Sequence, residues 1–99
     1  MRKAAKIDAN QKQIVEALRK AGCSVQSLAT VGKGYPDLIV GRHGRNFLIE
    51  VKDGAKVPSA RKLTNDEKRW HDNWQGHVAV VEDVNEALKL VNESEGTEQ

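Results

Sequence analysis

Two acids and a lysine are the residues of this chain whose types and spacing could do chemistry. Asp37 follows Pro36 and opens the apolar run Leu38-Ile39-Val40; Glu50 closes the next apolar run, Phe47-Leu48-Ile49, and Lys52 stands two positions on. Gly41 and Asn46 bracket Arg42-His43-Gly44-Arg45, which is turn chemistry between two β-branched and aromatic stretches. With residues 42–45 as a four-residue loop, Gly41 pairs with Asn46 and Asp37 lands opposite Glu50. Alternation then gathers Asp37, Ile39, Leu48, Glu50 and Lys52 on one face, and leaves Leu38, Val40, Phe47, Ile49 and Val51 on a wholly apolar one. Carboxylates at cross-strand distance repel unless they share a proton or a cation. Mg²⁺ accepts such a pair, completing its shell with water and substrate phosphate. A lysine on the same face can orient a water or steady charge developing on a phosphorane. The chemistry indicated is metal-assisted phosphodiester hydrolysis. The plainer alternative makes Asp37 and Glu50 solvated positions of an amphipathic hairpin. Lys52 weighs against it, as does Pro36, which fixes the backbone leading into the Asp37 strand.

The elements that must hold these residues follow from periodicity and breakers. A helix is predicted over about residues 10–20, with Asp8 or Asn10 as its cap, Gly22 as its stop, and Ile14, Leu18 and Ala21 as its apolar stripe beside Val15. A strand is predicted over about residues 24–29, then a glycine-rich loop over 30–35 that lacks the residue order of a P-loop. Residues 53–62 read as a basic loop, mobile without substrate. A second helix starts at Thr64, which with Glu67 fits a capping box. Leu63, Glu67, Trp70 and Trp74 also share one helical stripe, which would turn Glu67 toward the sheet; the two roles are partly compatible. Trp70 and Trp74 read as core or dimer contacts in preference to base-stacking platforms. A buried strand is predicted over residues 77–81, and a last helix opens at residues 82–84 with Val84, Leu88 and Val91 on one face. The order is αβββαβα: an α/β fold with a mixed four-stranded sheet whose antiparallel hairpin is flanked by helices. Residues 1–91 are expected to form one domain with a loose basic arm at 1–7, and 92–99 an acidic, disordered tail.

Size and composition bound the rest. Ninety-nine residues with 38% hydrophobic content and a mean hydropathy of −0.63 suit a small globular domain. No run reaches the length of a membrane span and residues 1–6 lack an apolar signal core, so the expectation is a cytoplasmic protein. The single cysteine, Cys23, excludes an intrachain disulfide and a zinc cluster, and reads as a small core residue. His43, His71 and His77 have no ligand spacing and read as surface or outer groups of the site. The net charge is +2, but the residues after Val91 hold Glu93, Glu95 and Glu98; without them sixteen basic residues face eleven acidic ones. Basic residues cluster at Arg2, Lys3 and Lys6, at Arg42 and Arg45, at Lys33 just before the Asp37 strand, and at Lys56, Arg61 and Lys62 after Lys52. Such clusters suit a phosphate backbone, with Tyr35 beside them; ordinary solubilising charge is the alternative.

Pro36-Asp37 followed by Glu50-Val51-Lys52 resembles the PD-(D/E)XK nuclease superfamily. The run from Gly32 to Val40, the run from Phe47 to Lys52, Leu63-Thr64, Trp70-His71 and the apolar strand after Gly76 look like the virus-type replication-repair nuclease (VRR-NUC) domain, over about residues 8–91. The resemblance implies a restriction-endonuclease-like core and a Mg²⁺- or Mn²⁺-dependent endonuclease acting on DNA. It further implies a homodimer similar to Holliday-junction resolvases, and a phage or bacterial setting. Asp37, Glu50 and the Val51 carbonyl would hold metal, with Lys52 catalytic. Relatives often place a Glu where Gln11 stands and a Gln where Glu67 stands; Gln11, Asn10 and Glu67 are therefore outer-shell candidates, with Asp8 and Glu16 as nearby substitutes. The rival expectations are a non-catalytic DNA-binding module on this fold, a nuclease of flaps or nicked DNA, and a protein-interaction domain whose acids are only surface groups.

Overall fold

A computed structural model describes residues 9–93. The expected basic arm, Asp8 and the tail beyond Glu93 lie outside the described residues. Helix α1, Ala9–Lys20, buries Gln11, Ile14 and Leu18, which recur on one helical face. It ends in a Schellman turn: Cys23 N–H donates to Leu18 O at 2.9 Å and Gly22 N–H to Arg19 O at 3.0 Å, with Gly22 at φ +99°. Asn10 lies inside this helix and is not its cap. Strands β1 (Ser24–Ser27), β2 (Leu38–Arg42) and β3 (Arg45–Val51) form an antiparallel meander. After β3 the chain passes a short 3₁₀ turn, Pro58–Arg61, and helix α2, Asn65–Asn73. It returns as β4, Val78–Val81, parallel to β3, and ends in α3, Val84–Asn92. The sheet order is β1-β2-β3-β4, the mixed four-stranded α/β plan expected.

The hairpin register agrees with the sequence reading, but the loop does not. Arg42 pairs with Arg45, so the turn is only His43-Gly44. Both turn residues have positive φ, +52° and +76°, the requirement of a type I′ turn matched to strand twist. Two- and four-residue loops centred on the same bond give one register, so Gly41 still pairs with Asn46 and the pairing extrapolates to Asp37 opposite Glu50.

Leu38, Val40, Phe47, Ile49 and Val51 form the buried sheet face, closed by Ile14 and Leu18 of α1 and by Ala87 and Val91 of α3. Cys23 lies in this core, as expected. The opposite face is only partly covered. Ile39 there is 36% exposed, and Val80 is 42% exposed. Strand β4 is therefore a half-open edge and not the buried strand expected, because helices cover only one face of it. Residues 53–62 hold the 3₁₀ turn and are tied to Glu82 at two points. Gly54 N–H donates to Glu82 O at 3.1 Å, and Arg61 Nη1 meets Glu82 Oε1 at 3.0 Å. No described helix is long and apolar enough to cross a membrane.

Candidate active site

Where β2 begins and β3 ends, three carboxylates and one ammonium meet. Asp37 precedes β2; its backbone carbonyl accepts from Leu28 N–H at 2.8 Å, extending the β1 pairing. Its Oδ2 accepts from Val51 N–H at 2.7 Å, which ties it to the end of β3. Glu50 points away from the core face yet is only 2% exposed, and its Oε1 has no hydrogen-bond partner. Lys52 Nζ lies 3.6 Å from Glu50 Oε2 and 2.8 Å from Glu67 Oε1.

Glu67 reaches this point because α2 starts where it does. Thr64 caps the helix: its Oγ1 accepts from Glu67 N–H at 3.2 Å, and Glu67 Oε1 accepts from Thr64 N–H at 2.9 Å. The same carboxylate thus closes the capping box and holds Lys52, so both roles read from the sequence coexist. Gly34 lets α2 come close. It sits at φ +83°, and a Cβ there would stand 2.3 Å from Asp66 O.

The electrostatics are those of a crowded acid pair. Burial, then the charges of Asp37 and Glu67, push the Glu50 carboxyl up to about 9. Burial raises Asp37 as well, although the Val51 N–H works the other way. Each carboxylate makes the other's charge costlier, so the pair favours holding one proton between them. Burial disfavours the charges of Glu67 and Lys52, but their ion pair outweighs it: Glu67 is lowered and Lys52 raised.

This chemistry fits a divalent cation. A buried carboxylate oxygen without a partner is costly, and a cation would satisfy it and remove the need for the shared proton. Among the described residues, no group of three or more His, Cys, Asp or Glu side chains gathers as a metal site. The protein would thus supply few ligands and leave the rest to water and substrate, as Mg²⁺ permits.

The weaker candidates divide. Asn10 is a clamp: its Nδ2 donates to Lys52 O at 2.9 Å and Glu82 O at 3.1 Å, fixing the chain as it leaves β3 and β4. Gln11 is buried on the inner face of α1. Lys33, Tyr35, Lys56 and Lys62 are exposed, whereas Arg61 is engaged by Glu82. His71 lies against the edge of Trp70, with ring centres 6.0 Å apart. Of the two roles expected for the tryptophans, core or dimer contact, the core role does not hold: neither belongs to the core cluster. Instead Trp70 stacks on Trp74 at 4.6 Å and 17°, and Tyr35 packs on Trp70 at 5.4 Å. Their spacing of four, Trp70 in the last turn of α2 and Trp74 at its C-cap, was the available signal for the stack.

A solved structure described as a VRR_NUC domain superposes on this chain with a TM-score of 0.61 and 28% identity, covering 84% of this chain and 90% of that one. This likeness supports a VRR-NUC domain assignment. No protein-family model matches the sequence, and no curated protein matches it either. The VRR-NUC assignment therefore rests on the architecture together with the moderate identity. The mixed sheet and flanking helices are those of the nuclease-like VRR-NUC core.

Proposed function

We propose that the chain is a divalent-metal-dependent deoxyribonuclease with Asp37, Glu50 and Lys52 as its catalytic residues. One observation carries this reading: a carboxylate 2% exposed, with an oxygen lacking any partner, is held beside a second carboxylate. Structural acids are not kept that way without compensation. Asp37, Glu50 and the Val51 carbonyl would hold Mg²⁺ or Mn²⁺, which supplies Lewis acidity toward the scissile phosphate and toward an attacking water. The protein does the rest. Val51 N–H fixes the Asp37 carboxylate. Glu67 keeps Lys52 charged and aimed, so Lys52 donates to water or phosphate oxygen and steadies developing negative charge; its raised pKa makes it a poor base. Asn10 holds the Lys52 carbonyl, and Gln11 lines the inner side of α1. Lys33, Tyr35, Lys56 and Lys62 offer contacts to DNA backbone that position without reading sequence.

The substrate we favour is branched DNA of the Holliday-junction type, cut by a homodimer. The half-open sheet face supports a second copy. Ile39, Leu48 and Val78 form an apolar row across β2, β3 and β4, with Val80 beside it. Glu50 and Lys52 lie on this same face, so a symmetric pair that joins through the Ile39–Leu48–Val78 row and leaves the Glu50 end open would present two cutting sites. The test is cleavage of four-way junction, flap and nicked duplex with Mg²⁺ or Mn²⁺, comparing wild type with Asp37→Ala and Lys52→Ala. Metal-dependent cutting, lost in both variants, is expected; DNA binding without cutting by wild type would leave a non-catalytic module. A monomeric mass by light scattering in the presence of DNA would end the dimer.

A further inference from the structure

Beyond the three-acid cluster, the side chains best arranged for a ligand are the aromatic ladder Tyr35–Trp70–Trp74. Its rings succeed one another at 5.4 Å and 4.6 Å, and the outermost, Trp74, is 45% exposed. Beside it lies an open groove of about 260 Å³ lined by Lys33, Arg69, Asp66, Asn73 and both indoles. Lys33 makes no ion pair among the described residues, and Arg69 is held only by the exposed Asp66, at 3.0 Å. The indole N–H edge of Trp74 rests against Gly76, where a Cβ would come within 2.9 Å of Nε1. The ring is thus seated by a residue with no side chain, and not by packing into the core.

The ladder is joined to the acid cluster through two short covalent paths. Tyr35 is two residues from Asp37, and Trp70 lies one helical turn beyond Glu67. A flat π surface flanked by cations, next to a phosphodiester site, suits a base that has left its duplex partner. Duplex DNA offers no free base face, so this surface adds nothing for it. We propose that Trp74, backed by Trp70 and Tyr35 and flanked by Lys33 and Arg69, stacks an unpaired base of the DNA strand bound at the acid cluster. This rests on the nuclease reading for its ligand class, and among branched DNAs it selects those with an unpaired stretch beside the cut, a flap or a junction opened at its centre.

The chain has two tryptophans and both are in the ladder, so intrinsic emission reports on this site alone. Full-length protein in chelator, where no cleavage occurs, is titrated with oligo-dT and with blunt duplex of the same length. Quenching by the single strand is expected and quenching by duplex is not. Trp74→Leu, with melting temperature as the folding control, should weaken single-strand binding about ten-fold, within the range for loss of one stacked base, while duplex affinity changes less than about two-fold. Gly76→Ala is the second variant; it keeps both indoles but displaces the outer one, and should weaken single-strand binding in part. Equal quenching by both DNAs, no quenching despite binding, or an emission shift that depends on protein concentration without DNA would each overturn the proposal. Quenching with no cleavage under any metal condition would sink the nuclease reading and leave the stacking site standing. Cleavage without quenching would do the reverse.

Discussion

In metal-free protein, raising the pH from about 5 to about 8 should destabilise the fold, and Glu50→Gln should remove most of that effect. Glu50 ionises at an ordinary 4.5 in the unfolded chain but near 9 in the fold. Between those values the folded state binds the extra proton, so stability falls as pH rises. The ceiling is about 1.4 kcal/mol per pH unit, or about 4 kcal/mol over the interval. Asp37 leans the same way, but the two acids share the proton, so it counts once. Lys52, 3.6 Å from Glu50 Oε2, stabilises the ionised form and lowers the loss. We expect about 2 kcal/mol, a fall in melting temperature of about 8–16 °C for a domain of this size. Lys52 and Glu67 titrate outside this interval, Lys52 because its pKa is raised and Glu67 because it is lowered. Glutamine keeps the shape, offers an N–H to the Asp37 carboxylate, and carries no charge. Its melting curves should be nearly flat in pH and, at pH about 8, more stable than wild type. Thermal melts in chelator across this range make the test. Parallel pH profiles for the two proteins, or a variant less stable at every pH above about 6, would refute the reasoning about Glu50.

Three further outcomes are expected. Added Mg²⁺ or Mn²⁺ should raise the melting temperature of wild type, by about 2.7 kcal/mol of stability at a hundred times Kd, and leave Asp37→Asn unmoved; an equal gain in the variant places the ion elsewhere. Gly34→Ala should cost about 2–4 kcal/mol in urea unfolding, from left-handed strain and from the Cβ that meets the α2 backbone. A cost under about 0.5 kcal/mol would mean that α2 does not lie against this loop. Thr64→Ala should lose about 1 kcal/mol with its cap and also slow cleavage, because Glu67 would hold Lys52 less firmly; intact cleavage would separate the cap from the site.

Much of this fold is written locally. The alternation of Leu38, Val40, Phe47 and Ile49 with Ile39 and Leu48 decides which hairpin face is buried. The loop length could be misjudged without harm, since the register depends only on the bond at the hairpin's centre. Asp37 opposite Glu50, the capping box at Thr64 and the core role of Cys23 follow from short-range spacing in the same way. Long-range placement was not legible. Strand β4 reads as buried because Val78-Ala79-Val80-Val81 is apolar throughout, yet it is an edge strand with Val80 exposed, and only the packing of α1 and α3 on one face settles that. Asn10 looks like a cap or a ligand until the ends of β3 and β4 arrive beside it from 42 and 72 residues away. Trp70 and Trp74 are apolar enough for a core, but α2 docks through Glu67 and against Gly34, which leaves the indoles outside. The sequence by itself determined the elements, the register and the identity of the acid pair, because those depend on period and neighbours. The depth of Glu50, the cation that guards it and the surface that faces solvent were decided by tertiary structure, because burial and charge environment belong to elements far apart in the chain.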